Sequence, residues 1–385
     1  MEEIIYNPFA GVYKRAVELY LNKEYQEAFI KFFSVVENDR ENHRASFYLG
    51  ECYFYGYGTD QNYEKAFPCY MTAAVKHEVE AVYKVGLSYE EGYGVEVDET
   101  QAVSWYMEAT KTDHTEAEYH LGMCYKLGKG IEQNYPLAAR WLLRAAQKGV
   151  VDAQKQAAEC YEVLNQPLAA ATLYLAAAEK NDSYSCYKIA NFYADGYGCP
   201  KSEGLALDFF EKAANLGYVD AMLALADRFK YGNGLEKSIQ NAIYWWLKAS
   251  DKSDKAQIEL AECYLEGNGV LRDLDQAMHW FDKAANNDNI VAMMRLADLS
   301  LNPPSGHEKD EVGAKIWFSK AAALGSSEAM YKLGLCYEDA IGTINPNYNE
   351  AYRWYRLASL NGNEAATEAC KRFSKSMFGT IKRKK

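Results

Sequence analysis

The chain has 385 residues, long enough for two or three ordinary domains or for one long array of repeats, and its composition does not indicate disorder. Its 54 acidic residues outnumber 42 Lys and Arg, which disfavours a protein whose whole surface follows nucleic acid. No segment approaches about eighteen apolar residues, and the amino terminus lacks a signal-peptide pattern. We therefore predict no membrane insertion, and a location in the cytoplasm or, in a eukaryote, in the nucleus.

The first 44 residues, 1–44, predict a capping helix pair. Within them, the stretch AVELYLNKEYQEAFIKFF, which begins at Ala16, has the apolar spacing of two helices but lacks the glycine pairs that follow later in the chain. A terminal pair of this kind closes the apolar end of a helical array.

Residues 45–365 contain nine similar segments, and each begins with a small residue. Consecutive starts lie 32 to 37 residues apart, a period typical of stacked helix pairs. We number these repeats one to nine, and the residue n positions after a start is called slot n. The starts are Ala45, Ala81, Ala117, Ala153, Ser185, Ala221, Ala256, Ala292 and Ala329.

The first half of each repeat predicts a helix, helix A, which in most repeats ends at a pair of glycines. In LGMCYKLGKG, which begins at Leu121, an apolar residue, a glycine and a tyrosine share one face, and Gly128 and Gly130 follow. Glycine adopts the left-handed conformation that stops a helix. The pairs lack the third glycine or the Lys-Ser/Thr ending of a phosphate loop, so we predict a turn rather than a nucleotide site.

The second half of each repeat predicts another helix, helix B, with alternating small and aromatic residues. In repeat two, Ala102, Trp105, Tyr106 and Ala109 follow this spacing. All seven tryptophans lie in the aromatic pair, and their periodicity favours core packing over a ligand cage. Five cysteines occupy one slot of helix A, which predicts small buried side chains rather than disulfides.

One segment, AEYHLGMCYKLGKGIEQNYPLAARWLLRAAQKG, shows nearly the whole pattern and resembles the Sel-1-like repeat family, a branch of the tetratricopeptide-type repeats. The resemblance covers 45–365. It implies an all-α solenoid of about nine helix pairs in a right-handed superhelix with helical caps, and residues 1–44 look like a plain tetratricopeptide unit. Repeats four and eight depart from the pattern, with EVLNQP from Glu162 and LNPPSGHEKDE from Leu301. We expect local changes of superhelical pitch there.

The end of the sequence predicts a capping helix and a short tail. An apolar stripe of Ala366, Ala369, Cys370, Phe373 and Met377 predicts a helix over 366–378. The tail GTIKRKK, 379–385, is basic, and we expect it to be disordered. The composition favours a solubilising end, with an import signal or a weak contact with an anionic surface as the alternatives.

No residue pattern predicts a catalytic, cofactor or metal site. The six histidines are scattered, and the Gly-x-Ser-x-Gly motif is absent. Ser185 and Lys188 form a Ser-x-x-Lys, and the resemblance to family members discussed as β-lactam-binding or hydrolysing proteins keeps a hydrolase as an alternative. The partner motifs of such enzymes are missing, so we predict that the protein is not an enzyme.

A candidate binding surface runs along helix A. If the repeats follow tetratricopeptide geometry, slots two, six, nine and ten line a groove, where aromatic side chains bordered by carboxylates suit an extended peptide with Lys or Arg among apolar anchors. The aromatics could instead pack on the neighbouring helix, and the carboxylates could be a solvated face, so both interpretations stay open. The candidate residues are Phe47, Tyr83, Tyr119, Tyr187, Tyr331, Glu51, Glu90, Glu91, Glu159, Asp227 and Glu262.

These patterns favour a non-catalytic scaffold or adaptor that binds other proteins or peptides in its groove. One alternative is a β-lactamase-like hydrolase on the same repeats, which would be identified by β-lactam hydrolysis that Ser185→Ala abolishes. The other is a helical repeat protein that binds nucleic acid, which the acidic groove disfavours.

Overall fold

The structure, a computed structural model, describes residues 9–304, 306–375 and 381–384. Within these residues it contains helices in repeating pairs and one short antiparallel pair of strands, which confirms the predicted all-α solenoid of helix pairs. The elements are α1 (Ala10–Leu21), α2 (Tyr25–Asn38), α3 (His43–Tyr55), α4 (Tyr63–Ala74), α5 (Val79–Glu91), α6 (Glu99–Thr110), α7 (Thr115–Leu127), α8 (Tyr135–Gln147), α9 (Val151–Val163), α10 (Pro167–Glu179), α11 (Ser183–Asp195), α12 (Glu203–Asn215), α13 (Val219–Tyr231), α14 (Ile239–Ala249), α15 (Asp254–Glu266), α16 (Leu274–Ala285), α17 (Ile290–Leu301), α18 (Glu311–Ala323), α19 (Ser327–Glu338), α20 (Tyr348–Leu360), α21 (Glu364–Lys371), β1 (Phe373–Lys375) and β2 (Ile381–Arg383).

The chain forms two compact units, the first ending at Phe209 and the second beginning at Phe210. In the first unit, helix A and helix B of a repeat pack on each other, as α5 does on α6, and helix B then packs on the next helix A, as α6 does on α7. The second unit repeats this order from α13 to α21. Among the described helices, none combines the length and the apolar character that a membrane span requires.

Helix A of repeat two ends as the glycine pattern predicts. Gly92 has a φ of +78°, and its N–H donates to the carbonyl of Ser88 at 2.9 Å, which closes the last turn. The second glycine is needed for a close approach, because a Cβ at Gly94 would lie 2.0 Å from the carbonyl oxygen of Tyr63. The turn therefore packs directly on the backbone at the start of α4 in the preceding repeat.

Repeats four and eight keep their helix pairs although both lack the glycine turn. Between α9 and α10, Asn165 takes the left-handed conformation with a φ of +54°, as asparagine does more readily than most residues. In repeat eight, Asn302 ends α17 without a left-handed residue, and its N–H donates to the carbonyl of Asp298 at 2.9 Å.

The core lies between the two helices of each repeat and is built from small and aromatic side chains. Trp246 is fully buried and Trp245 nearly so, which confirms the packing interpretation for this pair. The other five tryptophans are half-buried and pack at the edge of the core. The five cysteines in the shared slot are buried free thiols, as predicted: Cys52, Cys124, Cys160, Cys263 and Cys336.

The predicted capping helix over 366–378 is wrong in its extent. Helix α21 ends at Lys371, and Phe373–Lys375 form strand β1, which pairs antiparallel with Ile381–Arg383. The extended backbone lets the ring of Phe373 lie about 6 Å from those of Tyr348, Tyr352 and Tyr355. Met377, which the stripe included, lies outside the described residues.

The predicted disorder of the tail 379–385 is also wrong for its described part, 381–384. Ile381 packs against the core of the last repeats, and its N–H donates to Asn349 Oδ1 at 3.0 Å. A basic composition alone does not reveal these contacts. Residues 379, 380 and 385 lie outside the described residues.

Candidate protein-binding face

The predicted binding residues lie on one side of helix A, which we call the helix-A face and define as slots two, three, six, nine and ten. In the first unit it belongs to α3, α5, α7, α9 and α11, and in the second to α13, α15, α17 and α19. The spacing of these slots places their side chains over neighbouring turns of the helix. Within each unit, a repeat thus presents its face next to that of the following repeat.

The slot-two aromatics contact the next repeat and keep part of their surface exposed. The ring of Tyr83 stacks on His114, with the ring centroids 4.7 Å apart, and its hydroxyl lies 3.3 Å from Nε2 of His120. The hydroxyl of Tyr119 donates to Asp152 in the following helix A. Burial raises the pKa of both tyrosines, and nearby carboxylates raise it further. Both side chains are half-buried.

The other three slot-two aromatics are half-buried as well. Phe47 lies 6.1 Å from the ring of Tyr70, and Tyr331 lies 5.7 Å from that of Tyr355. Tyr187 holds the equivalent place on α11. Packing and partial exposure thus occur together at this slot.

Most of the predicted carboxylates are already paired with a basic side chain from the neighbouring repeat. Glu51 Oε1 lies 3.4 Å from Lys84 Nζ, and Glu90 Oε2 lies 2.8 Å from His120 Nδ1. The contacts with Lys and Arg neutralise charge along the face instead of leaving a free acidic stripe. Further pairs are Glu159 with Lys126, Glu162 with Lys188, Glu259 with Lys230, Asp227 with Lys255, Glu262 with Arg295 and Asp298 with Lys332.

One of the predicted carboxylates stands apart from this pattern. Glu91 is exposed and forms no ion pair with the residues that the structure describes. Glu262 follows the pattern, but burial raises its pKa above the usual value although Arg295 opposes the shift. Glu91 therefore holds the least compensated negative charge among the predicted site residues.

Four buried tyrosines of helix B complete the arrangement by donating to a carboxylate of helix A. The hydroxyl of Tyr70 donates to Glu51 Oε1 at 2.7 Å, and that of Tyr355 donates to Glu338 Oε2 at 2.6 Å. Burial raises the pKa of these hydroxyls, so they remain protonated donors. We call this set the Tyr–carboxylate pairs: Tyr70–Glu51, Tyr106–Glu90, Tyr174–Glu162 and Tyr355–Glu338.

Sequence reasoning missed the cations, although the sequence holds a signal for them. Where slot six or nine carries a carboxylate, slot three of the following repeat often carries a cation, as in Glu51 and Lys84. Where slot nine carries Lys230 instead, slot three of the next repeat is Glu259. This reversal of charge between adjacent repeats predicts contact, and it appears only when neighbouring repeats are compared with each other.

Ser185, the candidate nucleophile of the hydrolase alternative, is fully buried at the start of α11. Its backbone N–H donates to Asp182 Oδ1 at 2.7 Å, as in a normal helix cap. Lys188 forms an ion pair with Glu162 at 2.8 Å. A substrate therefore has no access to the hydroxyl, and the lysine is engaged elsewhere. Across the described residues, no three metal-binding side chains are grouped as a metal site would require.

Comparisons with known proteins agree with this architecture. A family model described as Sel1 repeat matches residues 43–74, 79–111, 115–150, 183–218, 219–254, 254–289, 290–326 and 327–363. The matches leave out 151–182, which is repeat four with its altered turn. Over 199 residues the chain is 28% identical to chitin synthase regulator SKT5 of Saccharomyces cerevisiae, and the match spans 50% of this chain but only 23% of that protein.

Two solved structures are similar over much of their length. A Sel1 repeat protein from Oxalobacter formigenes is 30% identical with a TM-score of 0.52, and the match covers 62% of this chain and 97% of that one. The antigen c5321 of uropathogenic Escherichia coli, which has an SLR fold, is 24% identical with a TM-score of 0.65, over 95% of this chain and 90% of that one. Since the family model matches more than half of the sequence, this chain belongs to the Sel1 repeat family.

Proposed function

We propose that the protein is a non-catalytic scaffold whose helix-A face binds an extended segment of another protein. Sel1 repeat proteins generally act as protein-interaction scaffolds. The yeast relative is named as a regulator of an enzyme, chitin synthase. A regulator acts by binding a partner, which agrees with the general role that we propose for this chain.

The observation that carries the proposal is that several tyrosines of the first unit are held in place by their hydroxyls while their rings stay partly exposed. Lys84 Nζ donates to the hydroxyl of Tyr55 at 3.0 Å, and Tyr55 is 45% exposed. Tyr83 and Tyr119 are held by His120 and Asp152 in the same way. A side chain that is ordered before binding loses little conformational entropy when a ligand arrives.

The tyrosine rings and the carboxylates of this face determine which side chains the bound segment should carry. Apolar side chains of the segment would lie on the tyrosine rings, which offer large and rigid contact areas. Its Lys or Arg residues would contact the least compensated carboxylate, Glu91 in the first unit. The paired carboxylates would form a polar border that sets the register of the segment and contributes little affinity.

The proposal is tested by selecting binders from a library of displayed peptides on the full-length protein. The triple variant Tyr55→Ala, Tyr83→Ala and Tyr119→Ala should bind the selected peptides at least about tenfold more weakly, because truncating buried aromatic anchors removes most of the contact energy. Tyr244→Ala is the matched control, since this tyrosine is 50% exposed on helix B.

Thermal melts of the three proteins accompany the affinities. If the triple variant keeps its folded baseline and binds the peptides as tightly as the control does, the aromatic face is not the binding surface and the proposal fails. The corresponding Tyr→Phe triple variant keeps the rings and removes the hydroxyl contacts. An intermediate affinity for this variant would measure the contribution of ring fixation.

A further inference from the structure

The strand Ile381–Arg383 docks on the last repeat as a short extended segment. Arg383 Nε lies 3.1 Å from Glu338 Oε1, and the backbone N–H of Lys384 donates to the carbonyl of Arg372 at 2.8 Å. The side chain of Ile381 is half-buried against the core of the second unit. The segment thus presents an apolar residue and, two positions later, an arginine to one repeat.

Glu338 is the most buried of the carboxylates in the Tyr–carboxylate pairs, with 3% of its surface exposed. Its Oε2 accepts a hydrogen bond from Tyr355 and another from Arg372, at 2.6 and 3.0 Å. The guanidinium of Arg372 also lies over the ring of Tyr355, 5.7 Å from its centroid. A carboxylate this deeply buried requires cationic partners, because its desolvation is costly when it is unpaired.

Internal repeats obtain that partner from slot three of the next helix A, as Glu162 does from Lys188. After repeat nine, the equivalent slot of α21 holds Ala369, which has no charge. Arg372 and Arg383 take its place, and Arg383 comes from an extended strand rather than from a helix. The last Tyr–carboxylate pair therefore receives an arginine from a peptide-like segment.

The contact made by Arg383 is incomplete. Its nitrogen lies within ion-pair distance of Glu338 Oε1, yet that oxygen is buried and receives no hydrogen bond from the residues that the structure describes. The side chain of Arg383 stays 50% exposed. A two-stranded pair of this length is marginally stable by itself. An arginine that approached Glu338 with aligned N–H groups would form the stronger, hydrogen-bonded pair.

We propose that Glu338 and Tyr355 form an arginine-receiving site for an extended protein segment, and that Ile381–Arg383 is its resident, displaceable occupant. The partner segment carries an apolar residue two positions before an arginine, as this chain does itself. The site lies in the last repeat of the second unit and uses none of the tyrosines tested above. Its test is therefore independent of the test of the binding face in the first unit.

The experiment uses the full-length protein and a fluorescent peptide with the sequence GTIKRKK, added in trans. Arg383→Ala weakens the resident occupant, so this variant should bind the peptide about tenfold more tightly than the wild type does. Lys382→Ala is the matched control, because it removes the same charge from an exposed side chain of the same strand. The peptide with alanine in place of its arginine should lose binding to every protein.

Equal peptide affinity for wild type, Arg383→Ala and Lys382→Ala would overturn the proposal. A second measurement needs no variant: the peptide should accelerate amide hydrogen exchange at Lys384 of the wild type, since displacement breaks its hydrogen bond to Arg372. Unchanged exchange at saturating peptide would also overturn it. Dimerisation of the wild type that Arg383→Ala abolishes would assign the site to a second copy of the chain and overturn the partner assignment.

Discussion

Repeat two and repeat seven share one helix-pair plan but fill the space between their helices with different chemistry. In repeat two, the buried ring of Tyr106 lies beside Gly86, and its hydroxyl donates to Glu90 at slot nine. In repeat seven, the equivalent ring is Phe281, and slot nine is Leu265. The buried ring of the first junction therefore has a hydrogen-bonded carboxylate at slot nine, whereas that of the second has an apolar residue there.

The small residue under the ring differs in the same two repeats. A Cβ at Gly86 would lie 2.8 Å from the ring of Tyr106, whereas repeat seven holds Ala261 at this slot, fully buried in the core. Ring, small residue and slot nine therefore change together. In these two repeats the junction is a matched set of three residues, so exchanging one member alone should cost more than exchanging the set.

The largest effect is expected from Phe281→Tyr in the apolar junction. The new hydroxyl would enter a filled site where Leu265 at slot nine offers no acceptor and Glu262 at slot six is already paired with Arg295, and we expect a loss of about 3 kcal/mol in unfolding free energy. Adding Leu265→Glu supplies the acceptor, with Arg295 nearby as a cation. Denaturant unfolding of the single and double variants measures the coupling. No recovery in the double variant would show that the residues do not form a set.

Gly86→Ala should have the next largest effect. The added methyl group meets a buried ring that cannot turn aside, which outweighs the helix propensity gained, and we expect a net loss of about 2 kcal/mol. Gly11→Ala is the matched control, since this glycine also lies in a helix, α1, and nothing lies within 4 Å of its Cβ position. A neutral Gly86→Ala in thermal and denaturant unfolding would mean that the ring has room to shift.

Tyr106→Phe is expected to cost about 1 kcal/mol, because it deletes a hydrogen bond to a charged acceptor but leaves Glu90 with His120. The control is Tyr244→Phe, whose hydroxyl belongs to a half-exposed side chain of helix B. The same denaturant experiment should leave that control within experimental error of the wild type. Equal effects at both positions would show that the buried hydroxyl contributes nothing specific.

The sequence predicts the backbone of the repeats better than it predicts the side-chain contacts. The helix pairs and the left-handed stop at Gly92 follow from periodicity and glycine placement, which are local signals. The candidate Glu90 was found, but its partners Tyr106 and His120 were not, because they belong to another helix and another repeat. The extent of the predicted C-terminal capping helix was wrong for a related reason. Phe373 and Arg383 are separated in sequence, and an apolar stripe cannot show that their strands pair.

The two junctions should differ in the sign with which their carboxylates change the unfolding free energy as the pH rises. Burial by itself would raise the pKa of Glu90, but hydrogen bonds with His120 and Tyr106 outweigh it and hold the pKa below its usual 4.5. The ionised form then stabilises the folded state above that pH, and this contribution is lost as the pH falls through the lowered value. The difference in unfolding free energy between wild type and Glu90→Gln should therefore shrink in acid.

Glu262 of repeat seven should show the opposite slope, although its effect is the smallest expected. Burial raises its pKa, Glu266 and Glu259 add to the shift, and only Arg295 donates to it in opposition, since Phe281 brings no hydroxyl to this junction. The folded state then holds the proton more tightly than the unfolded state does, so ionisation opposes folding as the pH rises above 4.5. Relative to Glu262→Gln, the wild type should lose stability as the pH rises above 4.5, whereas its gain relative to Glu90→Gln should lie below 4.5, between the lowered pKa of Glu90 and that value. Slopes of the same sign for the two variants would mean that the Tyr hydroxyl does not distinguish the junctions, and that burial and the neighbouring basic side chain alone determine how these carboxylates titrate.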